Sequence, residues 1–275
     1  MTERVSLPVA TPVPVLGVIP ARLASTRLPR KVLRMVAGRP LLAWVVEAAQ
    51  ACPLLDQLIV AVDSDEVAAL CERSGWPWVM TAPELPSGTD RLQAVAKTHP
   101  ASLYVNIQGD EPLITPGHLA ALLHPFGDAA VEITTLRTPC PPQDFANPNV
   151  VKVVTALSGR ALYFSRSAIP FVRDATPPQA CSPSFWKHLG LYAYRQTALA
   201  RFAALAPSPL EQIERLEQLR LLENGMALHV ADAPGDTIGV DTEEDLETVE
   251  QILLARKAPS SLYTASEDAP SVSSV

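Results

Sequence analysis

The stretch VLGVIPARLASTRLPRK, residues 15–31, joins a short apolar run to a strongly basic loop. Residues 15–19 are apolar throughout, which predicts a buried strand. The loop after this strand carries the cations Arg22, Arg27, Arg30 and Lys31. Guanidinium and ammonium groups bind phosphate oxygens strongly, and open α/β sheets bind ligands beyond the carboxyl ends of their strands. The loop therefore predicts a phosphate-binding site, with a basic loop facing solvent as the alternative.

Apolar runs and helical patterns alternate after this loop. The patterns predict helices at 40–49, 65–74 and 92–97, and strands at 58–62, 78–80 and 103–107. Strands that alternate with helices at this spacing pair in parallel through right-handed crossovers. The first half of the chain therefore predicts an α/β fold with a mostly parallel sheet.

The pattern changes after Pro139. Two apolar runs, at 150–154 and 161–165, flank Ser158-Gly159 and predict a hairpin. A proline-rich loop follows at 170–183. Beyond it the sequence predicts strands at 190–194 and 227–231 and helices at 210–223 and 243–257. Residues from about 258 are rich in Ser and Pro, which predicts a disordered tail.

Composition excludes several classes of protein. The net charge of the 275 residues is -7, which argues against general nucleic-acid binding. The 4 cysteines are scattered without a CxxC pair, so we expect neither a zinc site nor a disulfide framework, and reduced thiols in the cytoplasm fit best. No apolar run reaches the length of about 18 residues that a membrane span needs. The first 14 residues lack the compact apolar core of a signal peptide.

Two aspartates lie at the ends of predicted elements. Asp110 comes after the strand at 103–107, and Asp241 lies in the segment Gly239-Val240-Asp241-Thr242. Mg²⁺ is commonly bound by one or two carboxylates together with substrate phosphates. The pair predicts a magnesium site beside the basic loop. A turn residue at Asp110 and a helix N-cap at Asp241 are the alternatives.

Further polar positions are ambiguous from residue type alone. Ser87-Gly88-Thr89 at a helix start offers N–H groups and hydroxyls to a polar ligand, but an ordinary capping turn has the same sequence. In the second half, Arg166 or Arg173 could hold a carboxylate through a bidentate contact, and these arginines and Lys187 could equally be surface charges. His188 is a candidate ligand or a core histidine. A solvated helix face is the default for the series Glu211, Glu214, Glu217 and Gln218.

Taken together, these segments resemble the 3-deoxy-manno-octulosonate cytidylyltransferases, the CMP-KDO synthetases. The resemblance covers roughly residues 15–253. The motifs are IPAR (19–22), STRLP (25–29) with Lys31, SGTDR (87–91), NIQGDEP (106–112), FANPN (145–149), ALYFSR (161–166), KHLGLY (187–192), PSPLE (207–211), LEQLR (216–220) and GVDT (239–242). The first motif is shared with sialic acid cytidylyltransferases, whereas QGDEP and the later motifs are specific to the KDO branch.

The resemblance implies a Rossmann-like nucleotide-diphospho-sugar transferase fold with a smaller β subregion for sugar binding and dimerisation. It implies one cytidylyltransferase domain over 15–257, of which 15–138 mainly binds nucleotide and 139–230 mainly binds the sugar acid and forms a homodimer. Residues 1–14 and 258–275 are expected to be flexible tails. The implied reaction transfers CMP from CTP to KDO, giving CMP-KDO and pyrophosphate, in a cytoplasmic step of bacterial lipopolysaccharide synthesis. A related ulosonic acid (8-amino-KDO or a sialic acid) and a non-catalytic nucleotide-binding homologue are the alternatives.

The resemblance also implies roles for individual residues. The nucleotide-binding set is Ala21, Arg22, Ser25, Arg27, Lys31, Ser87 and Gln108. The catalytic set is Arg22, Lys31 and Asp110, and Asp110 and Asp241 would hold Mg²⁺. The sugar-acid set is Arg166, Arg173, His188, Tyr192, Glu217 and Gln218. Only the resemblance favours Glu217 and Gln218 over Glu211 and Glu214.

The chain departs from the family pattern at three places. Arg30 stands where the family usually has Gly, so a backbone with positive φ there would be strained. Lys187 replaces the usual Arg before the pocket histidine. Residues 233–238 form a slightly longer segment than usual, which could shift Asp241.

Overall fold

Strands and helices alternate along residues 14–23, 27–173 and 185–257, the parts of the chain that the computed structural model describes. The strands are β1 (Val15–Ala21), β2 (Met35–Val36), β3 (Arg39–Pro40), β4 (Gln57–Val62), β5 (Trp78–Met80), β6 (Leu103–Asn106), β7 (Ile133–Pro139), β8 (Lys152–Thr155), β9 (Ala161–Ser165), β10 (Trp186–Arg195) and β11 (His229–Asp232). The α-helices are α1 (Leu41–Gln50), α2 (Asp65–Ser74), α3 (Gly88–Ala96), α4 (Pro116–Leu123), α5 (Gln196–Ala203), α6 (Pro209–Glu214), α7 (Gln218–Glu223) and α8 (Glu243–Lys257). Single turns of 3-10 helix lie at Lys31–Leu33, His124–Gly127 and Pro142–Asp144.

The central sheet has the strand order β11-β7-β10-β6-β1-β4-β5. Strands β6, β1, β4 and β5 pair in parallel, and β11 pairs in parallel with β7. Strand β10 runs antiparallel between β6 and β7, and the β8–β9 hairpin is attached to it. The predicted α/β fold with a mostly parallel sheet is confirmed, and so is the hairpin. Because β1 and β6 are parallel neighbours, the segments that follow them lie at the same edge of the sheet.

The alternation of side chains along β1 divides the core into two layers. Ile19 packs in the cluster that contains residues of α1, α2 and α4. Leu16 and Val18 point to the opposite face and pack with residues of α3 and α5. Successive side chains of a strand point to opposite faces, so β1 is buried on both sides and its sequence is apolar without interruption.

A third apolar cluster fixes the basic loop. Leu28 of that loop is 1% exposed and packs in one cluster with Val240, Leu246 and Val249. These residues belong to α8 and to the segment that leads into it. The cluster therefore joins the basic loop to the segment that carries Asp241.

The predicted single helix at 210–223 is wrong, because α6 and α7 are separate. Arg215 ends α6 in the left-handed conformation, with φ 55° and ψ 47°. Buried Leu216 follows, and Arg220 of α7 turns back to pair with Glu211 of α6 at 2.5 Å. The helical pattern of the sequence runs through Arg215 without interruption, because neither Gly nor Pro stands at the position where the two helices separate.

Other elements differ from the predictions in extent. Strand β10 is longer than the predicted 190–194, and β11 lies slightly later than the predicted 227–231. The patterns missed β7, α4, α5 and the small β2–β3 pair. Of the predicted tails at 1–14 and 258–275, all residues except Pro14 fall outside the described residues, and so does most of the loop at 170–183. No helix in the described part of the chain is long and apolar enough to span a membrane.

Candidate active site

A cleft of about 290 Å³ opens at the edge of the sheet where β1 and β6 end. Its lining combines cations, carboxylates, an amide and close backbone. The lining residues are Pro20, Arg22, Arg27, Lys31, Val32, Gly88, Gln108, Gly109, Asp110 and Asp241. The cleft thus brings together most of the residues that the basic loop and the two aspartates suggested.

Lys31 lies between the two aspartates at the centre of the cleft. Its Nζ is 2.5 Å from Asp110 Oδ2 and 2.9 Å from Asp241 Oδ1. Burial alone would lower the pKa of Lys31, but the two carboxylates outweigh it, and the pKa is raised above its ordinary value. Lys31 therefore stays a cation, with a fixed position beside two anions.

The aspartate pair fits a hard divalent cation. One oxygen of each carboxylate contacts the same Lys31 nitrogen, so these two oxygens are close to each other. Groups of three or more His, Cys, Asp or Glu that could hold a metal are absent from residues 14–23, 27–173 and 185–257. Two carboxylates are enough for Mg²⁺ when substrate phosphates and water complete its coordination. Asp110 and Asp241 are the residues that could hold it.

The longer segment at 233–238 does not carry Asp241 away from the site. Val240 N donates to Asp110 O at 2.9 Å, which ties the segment to the end of β6. Lys187 Nζ lies 2.8 Å from Asp236 Oδ1 and donates to Thr237 O at 3.1 Å. The segment is therefore fastened on both sides, and Asp241 is brought to Asp110.

The basic loop divides its cations between two directions. Arg22 Nη1 donates to Pro86 O at 2.9 Å, and Arg27 Nη2 lies 2.7 Å from Asp241 Oδ2. Arg30 turns away from the cleft and pairs with Glu66 of α2. Arg30 has φ 58° and ψ 29°, so the departure from glycine falls at a left-handed position. Of the predicted nucleotide-binding residues, Ala21 is buried at the end of β1, and Ser25 lies outside the described residues.

The start of α3 forms a second wall of the cleft through Gly88. Ser87 and Asp90 form a capping box, in which Asp90 N donates to Ser87 Oγ at 3.1 Å and Ser87 N donates to Asp90 Oδ2 at 3.1 Å. The capping interpretation of this segment is therefore correct, and it does not exclude ligand binding. Glu217 accepts from Thr89 Oγ1 at 2.8 Å and from Ser87 Oγ at 3.0 Å. Burial raises the pKa of Glu217 despite these two hydrogen bonds.

Gln108 links the cleft to β10. Its Nε2 donates to Gly190 O at 3.2 Å. His188 and Tyr192 lie two residues before and two residues after Gly190, and the centroids of their rings are 5.5 Å apart. His188 Nε2 is 2.9 Å from Thr135 Oγ1, and burial lowers the pKa of His188 to about 3. The imidazole is therefore neutral at physiological pH and suited to a hydrogen bond rather than to charge pairing.

The remaining sugar-acid residues lie on α7 or in the loops of the second half. Gln218 is buried in α7. Arg166 donates through Nε to Glu214 O at 2.8 Å and through Nη1 to Pro148 O at 2.9 Å. Its Nη2 lies 3.4 Å from Arg215 O, so these contacts use three of its five N–H groups. Arg173 is exposed. The cleft lining includes neither arginine, and their carboxylate-binding roles stay predictions.

The glutamates that the resemblance set aside have structural partners. Glu214 accepts from Ser165 Oγ at 2.6 Å and from Arg166 N at 3.0 Å. Glu211 pairs with Arg220. Glu217, by contrast, reaches the wall of the cleft.

Sequence reasoning missed two buried groups beside the cleft. Glu111 accepts from Thr237 Oγ1 at 3.0 Å, and burial, helped by neighbouring Asp110, raises its pKa to about 7. Arg91 is completely buried and pairs with Asp63 at 3.1 Å. Both lie next to or within quoted motifs, but only the three-dimensional fold shows that a charged side chain there turns inward.

Comparison with known proteins places this site in a family. The family model described as Cytidylyltransferase matches residues 16–228. The chain is 60% identical over 243 residues to the 3-deoxy-manno-octulosonate cytidylyltransferase of Acidobacterium capsulatum, covering 88% of this chain and 98% of that protein. It is 54% identical over 241 residues to the protein of the same name from Koribacter versatilis, covering 88% of this chain and 90% of that one.

A solved structure agrees with these relatives. It is that of a CMP:2-keto-3-deoxy-manno-octonic acid synthetase complexed with CTP, to which the chain is 37% identical with a TM-score of 0.83. The match covers 88% of this chain and 99% of the solved one. The chain therefore belongs to the cytidylyltransferase family, and within it to the 3-deoxy-manno-octulosonate cytidylyltransferases.

Proposed function

We propose that this chain transfers the cytidylyl group of CTP to 3-deoxy-D-manno-octulosonate, giving CMP-KDO and pyrophosphate. The observation that carries the proposal is Lys31, held between Asp110 and Asp241 in a cleft that Arg22 and Arg27 also line. Cations beside a pair of carboxylates suit a metal–triphosphate complex. The names of the relatives supply the sugar acid.

The proposed reaction is an in-line displacement at the α-phosphorus. The anomeric oxygen of KDO forms a bond to that phosphorus, while the bond from the phosphorus to the bridging oxygen of pyrophosphate breaks. The hydroxyl proton is released. Such a reaction needs positioning and charge neutralisation more than a nucleophilic side chain.

The chain's own residues would supply both. Arg22, Arg27 and Lys31 would bind the triphosphate oxygens and offset the charge that develops on the leaving pyrophosphate. Asp110 and Asp241 would hold Mg²⁺, which when bound neutralises phosphate charge and polarises the phosphoryl group. With phosphates present, Lys31 would exchange part of its carboxylate contact for phosphate contact.

The base and the sugar acid would occupy neighbouring parts of the site. Ser87 and Gln108 would read the cytidine. The sugar-acid pocket would be formed by His188 and Tyr192 on β10 together with Glu217, Gln218, Arg166 and Arg173. The hydrogen bonds from Gln108 to Gly190 O and from Ser87 to Glu217 support a direct connection between the two parts.

The proposal includes a homodimer that works in the cytoplasm and supplies an activated sugar for bacterial lipopolysaccharide. Large apolar side chains are exposed in the second half of the chain, in the region expected to bear the dimer contact. They include Leu157, Leu162, Phe171 and Ile213. Exposed large apolar side chains such as these are candidates for a dimer contact.

Pyrophosphate release tests the proposal. The protein is incubated with Mg²⁺, one nucleoside triphosphate (CTP, UTP, ATP or GTP) and one acid (KDO, 8-amino-KDO or a sialic acid). We expect release with CTP and KDO that clearly exceeds every other combination, because a polar base site rejects a mismatched edge. Higher activity with another acid would shift the assignment to that acid. No release with any pair, while CTP still binds, would favour the non-catalytic homologue.

A further inference from the structure

A completely buried arginine stands in the first turn of α3. Arg91 is 0% exposed, although a guanidinium is rarely buried without several partners. Its Nη1 donates to Thr81 Oγ1 at 2.7 Å and to Ala82 O at 3.2 Å; its Nη2 lies 3.1 Å from Asp63 Oδ2, 3.2 Å from Pro83 O and 3.5 Å from Leu85 O. One side chain thus gathers the segment 81–85, which leads directly into the capping turn at Ser87.

Asp63 connects Arg91 to the basic loop. Its Oδ2 pairs with Arg91, while its Oδ1 accepts from Leu23 N at 2.9 Å. The Asp63 side chain is 5% exposed, so both contacts are shielded from water. A second contact joins the same two segments, since Arg22 Nη1 donates to Pro86 O. The two walls of the cleft are therefore tied to each other through one buried ion pair and one surface hydrogen bond.

Stability alone explains this arrangement poorly. Removing two charges from water costs free energy that their attraction only partly offsets. Arg91 Nε also has no hydrogen-bond partner among the described residues, which adds to that cost. A costly buried polar group that fixes the geometry of a binding cleft is typical of a positioning role.

We propose that Arg91 is a positioning residue for the nucleotide. Together with Asp63 it sets the spacing between the basic loop, which carries Arg22, and the turn Ser87–Thr89. The inference rests on the proposed function, in that CTP is taken as the ligand between these walls. It concerns the affinity for CTP, and not the sugar-acid side of the site.

The test compares Arg91→Lys with a matched control, Arg195→Lys. Lysine can still reach Asp63 but cannot hold the segment 81–85 as a planar fork does. Arg195 likewise wraps loop carbonyls, donating to Val131 O at 2.8 Å and to Phe126 O at 3.2 Å. It lies at the opposite end of the sheet, because it pairs in register with Leu103 at the start of β6. Both variants lose a guanidinium that holds loop carbonyls, although Arg195 is only partly buried, and only Arg91 is linked to segments that border the cleft.

We measure the thermal midpoint, the Kd for CTP by calorimetry without sugar acid, and the KM values for CTP and KDO. Arg91→Lys should raise the Kd and KM for CTP by about tenfold or more, while the KM for KDO changes less than about twofold. Arg195→Lys should lower the thermal midpoint with CTP binding unchanged. An unchanged Kd for CTP in folded Arg91→Lys, or an equal rise of both KM values, would overturn the proposal.

Asp63→Asn keeps the inference testable if Arg91→Lys does not fold. Asparagine retains an oxygen for Leu23 N and removes the charge that faces Arg91. It should weaken CTP binding in the same direction, and unchanged binding would again refute the proposal. Failure of the proposed function can be distinguished from failure of this inference. A wild-type protein that neither binds CTP nor releases pyrophosphate from it would contradict the proposed function before any variant is compared.

Discussion

Lys31 holds in one place two carboxylates that come from distant parts of the sequence. Asp110 follows β6 and Asp241 precedes α8, yet both contact the same ammonium group. Loss of either carboxylate would leave the partly buried Lys31 ammonium with one fewer counter-charge, and the proposed Mg²⁺ with one fewer ligand. The site therefore depends on each of the three side chains in a way that exposed charges of the same type would not show.

Asp110→Ala should reduce turnover by several orders of magnitude while the protein stays folded. The reason is the loss of metal-mediated charge stabilisation, which is worth several kcal/mol in phosphoryl transfer. Steady-state turnover at saturating CTP and KDO and the far-UV circular dichroism spectrum measure the two effects. Glu247→Ala, which removes an exposed carboxylate of α8, is the control and should change neither. Near-normal turnover of Asp110→Ala at limiting Mg²⁺ would exclude the proposed role.

Arg30 offers a test of backbone strain. Its φ of 58° is costly for a residue other than glycine, and its side chain forms an exposed ion pair with Glu66. Arg30→Gly and Glu66→Gln both remove that pair, but only Arg30→Gly relieves the backbone. The free energy of unfolding of Arg30→Gly should therefore exceed that of Glu66→Gln by about 1 kcal/mol. Urea unfolding measures both, and equal values would show that the loop is not strained.

Among the structural elements, the segment from Ala233 to Val240 has the most direct effect on the site. The Nε2 atom of His118 in α4 is 3.2 Å from Gly235 O, and its Nδ1 atom accepts a hydrogen bond from Thr115 N at 3.1 Å. Lys187 of β10 holds Asp236 and Thr237 O on the other side. The longer segment is thus anchored by contacts from two neighbouring elements, and this anchoring explains why Asp241 keeps its place.

Lys187→Met should therefore weaken the binding of Mg²⁺. Without the ammonium, the segment loses two contacts and Asp241 becomes less well positioned. The Mg²⁺ concentration for half-maximal activity should rise about threefold to tenfold, with a smaller change in the KM for CTP. Lys187→Arg, which restores the residue that is usual in the family, should stay close to the wild type. A Lys187→Met protein with an unaltered Mg²⁺ requirement would argue that the segment is rigid without this contact.

Sequence patterns predicted the elements that have strong local signals. Helix α2 begins and ends where predicted, because Ser64 caps its start and Gly75 ends it at φ 68°. Strand β7 was missed because its buried positions include Thr134 and Thr135, which do not form an apolar run. The break at Arg215 was missed because it depends on the packing of Leu216 and on the Arg220 pair, not on a helix-breaking residue.

The same distinction applies to the site. Cations and carboxylates at strand ends were visible in the sequence, because parallel strands end at one edge of the sheet. The partners of Arg91 and Arg166 were not visible, because both arginines bind backbone carbonyls of loops whose path no sequence pattern predicts. The resemblance assigned roles to these loops, but it did not indicate which donors were already engaged.

For the molecule as a whole, two histidines with lowered pKa values contribute to instability in acid. Burial lowers the pKa of His188 to about 3 from an ordinary 6.5, and burial also lowers the pKa of His118. Below about pH 6.5 these side chains bind protons in the unfolded chain and not in the folded chain, so their contribution to the free energy of unfolding falls as the pH drops toward 3. Glu111, whose pKa is raised to about 7, contributes in the opposite direction. His188→Gln should flatten this fall, so that its stability relative to the wild type improves between about pH 7 and pH 4.

Urea unfolding across that pH range measures the difference. His124→Gln, which replaces an exposed histidine, is the control and should follow the wild-type curve. A constant gap between His188→Gln and the wild type would show that His188 does not contribute to the acid instability.

The strand order has a consequence for how the protein is made. Strand β6 ends at Asn106, but its antiparallel neighbour β10 begins only at Trp186, so a chain emerging from the ribosome exposes an unpaired β6 edge. At ordinary translation rates this interval lasts roughly 4 to 16 seconds, during which the edge is a template for wrong pairing. Nascent chains stalled before Trp186 should therefore recruit chaperones and be cleaved readily by protease, whereas chains stalled after α8 has emerged should resist both. Equal protease sensitivity at the two lengths would mean that the first strands protect this edge by themselves.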